Sequence, residues 1–290
     1  MVRPRAPRRL SLIAIAVVGV GGPATAQTQP ALNAYAVLGI DSVRVGAGTR
    51  VQPGAVGAMA GTVALGPETA VPGSVVADSV RLARSADVGR LFCRVASGGA
   101  FGPGVVGGPS VGGAPVPGCN VLTIPIVAPE LLVPIAVEPG SSDLVVPPRM
   151  GSAPVAAGSF GAVVVGKGSL LQLAGGAYQV RSIRLARSAR LVCLAECRVG
   201  VLESVRLGAA AQLGAAQGLS PTRVRFDVGT AAVGVAFRAG PRAIVAATVF
   251  APTGTVVLGP RGDYRGAFVG RSVTLRPRSR VRESSAFPPP

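Results

Sequence analysis

The amino-acid sequence predicts an all-β chain, wound into a right-handed parallel β-helix (a solenoid) and interrupted by a Gly/Pro-rich insert. Three observations support that reading. SVRLARSADV at positions 79–88 returns as SIRLARSARL at 182–191 with three of its ten residues changed. Looser copies begin at Ser42, Thr62, Ala162, Ser204, Thr255 and Ser272, and neighbouring copies start 17 to 22 residues apart, the length of one solenoid coil and too short for a propeller blade or a βαβ unit. Composition agrees: 49% of the 290 residues are hydrophobic but only 4% aromatic, while 41 Gly and 26 Pro supply turns between Val-rich segments.

Each copy reads small polar, aliphatic, any, aliphatic, three turn formers, small, any, aliphatic. Apolar residues at the second and fourth positions have the period of a strand with one buried face. A single rung cannot bury that face, so stacked neighbours must supply the core. A left-handed hexapeptide helix would need a stricter six-residue period than the chain has.

In chain order, residues 1–26 read as a signal peptide. Arg3, Arg5, Arg8 and Arg9 precede an apolar run at 10–22 and an Ala24-Thr25-Ala26 cleavage site. The run is too short to span a bilayer, so the chain is expected to be exported, to the periplasm or the cell exterior. Residues 27–96 hold the N-terminal rungs. Residues 97–157 form the insert, a Gly/Pro-rich loop followed by an apolar run rich in proline, read as extended edge strands and not as a membrane span. Residues 158–285 hold the main β-helix and 286–290 a Pro tail. One solenoid and two domains both remain open. The last rung, SVTLRPRSRV followed by RESSAFPPP, reads as a capped end, and TQPALNAYAVLGID as an edge able to accept a partner.

Four cysteines in an exported chain read as two disulfides, and the favoured pairing of the three available is Cys93 with Cys119 and Cys193 with Cys197. A zinc site is disfavoured by the C-x3-C spacing and by a chain without His. No metal and no cofactor are expected.

The formal charge is +17, and losing the four signal arginines leaves +13, which favours contact with anionic surfaces. The third repeat position carries Arg44, Arg81, Arg184 and Arg206; the ninth carries Arg50, Arg190 and Arg280. Lying between inward-facing residues, these side chains should point to solvent, and stacked rungs would line some of them into a ladder. Such a ladder would grip anionic polysaccharide, lipopolysaccharide or extracellular DNA through bidentate contacts. The plainer reading is a solvated basic face that keeps the solenoid soluble.

Catalytic motifs are weak. GAVVVGKGS at 161–169 nearly spells a phosphate-binding loop, but Gly168 stands where the hydroxyl belongs and a Val-rich strand replaces the loop. GPSVG around Ser110 matches a nucleophile elbow without any His to serve as base. Arg261-Gly262-Asp263 spells an adhesion tripeptide that reads as coincidence. The acids, among them Asp41, Asp78, Asp87, Asp143 and Asp227, are scattered singly, whereas glycoside cleavage needs a pair.

The stretches GSLLQLAGGAYQVRSIRLARSARL (168–191) and ATVFAPTGTVVLGPRGDYRGAFVGRSVTL (247–275) resemble the rungs of secreted bacterial β-helix proteins related in style to the bactofilin, or polymer-forming, group. The resemblance implies a β-helical fold and a scaffolding habit more than any activity. The expected function is therefore an exported, non-enzymatic structural or surface-interaction protein of a bacterial envelope. The alternative is a carbohydrate-active β-helix, a polysaccharide lyase, glycosidase or carbohydrate-binding module. Self-association is left open.

Overall fold

The computed structural model describes residues 32–98, 133, 136–229 and 234–284. Twenty strands join one sheet in which every pairing between strands is parallel, giving a β-solenoid of about ten turns. Each turn contributes three strand segments. In the rung at 176–193, the strand Gly176–Leu185 changes register between Val180 and Ser182 and so covers two faces, and Arg190–Cys193 makes the third.

The repeat positions become columns. Ser42 pairs with Thr62 and Thr62 with Ser79, while Ala162, Ser182 and Ser204 align in the same way. The second-position column is buried: Val43, Val63, Val80, Val163, Ile183, Val205, Val256 and Val273 are all at most 4% exposed. Aliphatic side chains at strand spacing of about 4.8 Å fill most of this column. Phe237 enters the column beside Val205, and the fourth position of its rung shrinks to Ala239 beside Leu207. This trade conserves volume.

The turn after the fourth position is also a column. The residue at its seventh position takes a left-handed backbone, with φ near +60° in Ser85, Ser188, Arg242, Arg261 and Arg278 as in Gly48 and Gly168. Its N–H donates to the next rung's turn carbonyl, as Arg242 does to Pro260 at 2.9 Å and Arg278 to Ala47 at 2.8 Å. At the eighth position only a small side chain fits. Thr49, Thr69, Ser169 and Ser279 are fully buried there, and the Ser279 hydroxyl donates to the Gly259 carbonyl at 3.0 Å. Gly262 is the exception: a Cβ there would run into the Tyr264 hydroxyl, which joins Ser279 in donating to the Gly259 carbonyl, at 2.8 Å.

The stack order differs from the chain order. The C-terminal strand Phe268–Leu275 lies between Thr248–Leu258 on one side and the N-terminal strand Tyr35–Val45 on the other. Arg280–Arg282 likewise pairs with Arg50–Val51. Among the described residues the path thus enters in the middle of the stack at Tyr35–Val45, runs outward to Asp87–Gly98, resumes on the opposite side at Leu144–Val146 and climbs back to meet the Tyr35–Val45 rung. The two repeat groups belong to one solenoid. Because every rung pairs in parallel, the later group can meet the first rung in this order only by re-entering from the far end.

The expected capped C-terminus is therefore corrected: that rung is internal, and the edge at Tyr35–Val45 is taken by the chain itself. Among the described residues the outer strands are Asp87–Gly98 and Leu144–Val146. The latter falls inside the stretch assigned to the insert from sequence, and is followed by Pro147, Pro148 and Pro154, which lack the N–H that an added strand would need. The rest of the apolar run, apart from Val133 and residues 136–143, lies outside the described residues.

One face is buried on both sides. Phe92, Val76, Leu38, Val269 and Phe250 follow one another in register on the side away from the lumen, and all are at most 1% exposed. Gly57 sits in this column because a Cβ would meet the Tyr35 ring at 2.4 Å. Lower in the stack the column continues as Asp227 and Gly200, and the Gln179 amide and Val137 occupy the space into which a Gly200 side chain would project.

Candidate arginine-lined interface

The solenoid places outward positions on straight lines along its axis. Arg184 pairs in register with Arg206, and Arg206 with Arg238, so three guanidinium-bearing residues occupy consecutive rungs and all three are exposed. Ser182 and Ser204 run beside them. Arg238 was missed in the sequence because its copy has Ala236 in place of the leading Ser or Thr and Phe237 in place of an aliphatic. The signal that finds it is the following Gly240-Pro241, the same turn as Gly66-Pro67 and Gly259-Pro260.

Arg44 and Arg81 are in the same column but not in the ladder. Arg44 lies between Thr274 and Ala64, and Arg81 between Ala64 and Ser97. In the ninth-position column Arg50 abuts Arg280, with Gln52 and Arg282 beside them around a shallow depression of about 210 Å³. Arg190 stands apart between Leu170 and Gln212.

A larger groove of about 520 Å³ follows the turn column itself. Its floor is Pro241, Pro260 and Pro277 in successive rungs, and Arg187, Arg242, Arg261 and Arg278 line it together with Glu68. The proline of each Gly-Pro or Arg-Pro turn thus sets the floor, with the left-handed residue after it alongside, while Arg187 occupies the proline position of its own rung.

Four of the acids are engaged structurally. Asp227, with its side chain 1% exposed, accepts from Arg198 at 3.1 Å and Arg225 at 2.7 Å, and the Arg225 guanidinium lies 5.0 Å from the Phe250 ring centroid. Asp41 pairs with Arg271 at 2.8 Å and Asp263 with Arg265 at 3.1 Å; Asp143 accepts the Ala162 N–H at 2.7 Å. Asp41 and Asp78 precede the first repeat position two rungs apart, with Gly61 in the intervening rung. Among the described residues no three His, Cys, Asp or Glu side chains gather to hold a metal ion.

The near-miss motifs have structural explanations. In GKGS, the N–H of Gly166 donates to Val146 and that of Gly168 to Arg187, so the backbone that would cradle phosphate is spent on the turn ladder. In the RGD tripeptide, Gly262 makes room for Tyr264 and Asp263 is bound to Arg265. GPSVG lies outside the described residues. Cys193 and Cys197 form a disulfide across the turn that links one rung to the next, their Cα atoms 6.1 Å apart, and both are buried. Cys93 is buried; the pairing expected for it with Cys119 falls outside the described residues.

No protein family, curated protein or solved structure matches this chain.

Proposed function

We propose that this chain is an exported, non-enzymatic structural or surface-interaction component of a bacterial envelope that holds anionic polymers on its arginine-bearing side. The observation that carries the reading is the register of Arg184, Arg206 and Arg238 on three successive rungs. Like charges held about 4.8 Å apart repel, and a polyanion laid along them relieves that repulsion while accepting bidentate bonds. Acidic polysaccharide, lipopolysaccharide and extracellular DNA all have the required charge. Export is supported by the Cys193–Cys197 disulfide, a bond suited to an oxidising compartment. The bactofilin-like rungs suggest a scaffold, and the proline-bearing end at 144–155 favours one that does not grow by strand addition there.

The test is retention of residues 27–290 on an immobilised anionic polysaccharide in a salt gradient. Arg184→Ser/Arg206→Ser/Arg238→Ser should elute at markedly lower salt. Arg44→Ser/Arg81→Ser, which removes charges that are not neighbours, should shift less per charge removed. Equal shifts per charge would mean that net charge alone governs binding, and the ladder would have no role.

A further inference from the structure

We infer that the turn groove is a second, selective site for a linear acidic polysaccharide of the uronate type, lying along the solenoid axis. The inference rests on the anionic-polymer reading above and names the ligand class and its seat. Three features of the groove point there.

The first is the backbone. Arg242, Arg261 and Arg278 hold φ at 57°, 58° and 60° in consecutive rungs. Glycine adopts that region freely and other residues do so at a cost. The same column uses Gly48 and Gly168 elsewhere, so the fold accepts glycine at this position. The whole column shares this conformation, Glu68, Ser85, Arg149, Ser188 and Ala210 included, so it is the common geometry of the turn; in these three consecutive rungs it sets arginines in one line.

The second is charge. None of Arg187, Arg242, Arg261 and Arg278 forms an ion pair among the described residues, unlike Arg198, Arg225, Arg265 and Arg271. Glu68 is the one carboxylate in the groove lining. From Arg278 to Arg187 the groove crosses five rungs, about 19 Å at strand spacing, enough for several sugar residues of an extended chain.

The third is the floor. Pro241, Pro260 and Pro277, flanked by Ala47 and Ala209, offer apolar surface against which the C–H faces of pyranose rings can lie while guanidinium groups take their carboxylates. Single-stranded nucleic acid wants aromatic platforms for its bases. Here no aromatic side chain lines the groove, and Tyr35, Tyr178, Tyr264, Phe226, Phe237, Phe250 and Phe268 are buried. The observations therefore favour acidic sugar over single-stranded DNA.

The experiment compares residues 27–290 binding a fluorescently labelled alginate oligomer and a single-stranded DNA of matched charge, at low and high salt. Arg242→Gly/Arg261→Gly/Arg278→Gly removes the rim while leaving the turns in a conformation glycine prefers, and its folding is checked by circular dichroism. The wild-type chain should prefer alginate by roughly tenfold, one ion-assisted contact's worth of selectivity. The glycine variant should bring that ratio to about one, while Arg184→Ser/Arg206→Ser/Arg238→Ser should weaken both ligands and leave the ratio unchanged. An unchanged ratio in the glycine variant would overturn the groove as the selective site. Wild-type preference for DNA, lost in the glycine variant, would overturn the ligand class. Binding of neither polymer by the wild-type chain would overturn the anionic-polymer reading and the groove with it.

Discussion

Phe268→Ala tests whether the C-terminal rung is the keystone of the stack. Phe268 is fully buried, in register with Val249 on one side and Val37 on the other, and its ring meets Tyr264 edge-on with centroids 5.8 Å apart. Truncating a buried Phe costs about 3–5 kcal/mol, and the edge-to-face contact adds on the order of 1 kcal/mol. Against a total stability of about 5–15 kcal/mol, that is a large share. With a urea dependence of about 2 kcal/mol per molar, the unfolding midpoint should fall by roughly 2 M, followed by tyrosine fluorescence in a chain that has three Tyr and no Trp. Val145→Ala, on a terminal strand with the side chain 60% exposed, should move stability by no more than about 0.5 kcal/mol. A loss below about 1 kcal/mol for Phe268→Ala would refute the reasoning, because a rung packed on both sides cannot lose its largest core side chain so cheaply.

The seam also predicts proximity: the Ser42 hydroxyl donates to that of Ser272 at 3.2 Å, so Ser42→Cys/Ser272→Cys should be joined by a short bifunctional thiol reagent within one chain, as read by peptide mass spectrometry. Gly262→Ser should destabilise by about 1–3 kcal/mol by displacing the Tyr264 hydroxyl from its carbonyl. Adding Tyr264→Val recreates the small-hydroxyl and aliphatic pairing seen at Ser279 and Val281 and should recover most of that loss in thermal unfolding; no recovery would mean that the two positions are not coupled. Burial pushes the phenols of Tyr35 and Tyr264 above their ordinary range. Below pH of about 10 both states keep these protons and stability is indifferent to them; above it the unfolded chain ionises first, so stability should fall by about 1.4 kcal/mol per pH unit for each tyrosine. Tyr35→Phe/Tyr264→Phe should flatten that alkaline decline in denaturation series; an equally steep one would assign it to other groups.

Local order determined much of this protein. The alternation at the second and fourth positions, the turn residues and the small eighth residue follow from the needs of one rung, so copies from Ser42 to Ser272 could be aligned from the sequence and fell into register in the structure. The copy containing Arg238 was hidden because Phe237 and Ala239 exchange volume between two columns, a compensation visible only when both columns are assembled. Tertiary structure alone decided the order of the rungs. Every rung offers its neighbours nearly the same edge, so no residue of Phe268–Leu275 announces that its partner is Tyr35–Val45, more than two hundred residues away. The candidate interface divides in the same way. Which positions point outward is set by the two-residue period of a strand, and which arginines become neighbours is set by stacking: Arg184, Arg206 and Arg238 meet, Arg44 and Arg81 do not, and the arginines of the turn groove form a line only because three Gly-Pro or Arg-Pro turns lie on consecutive rungs.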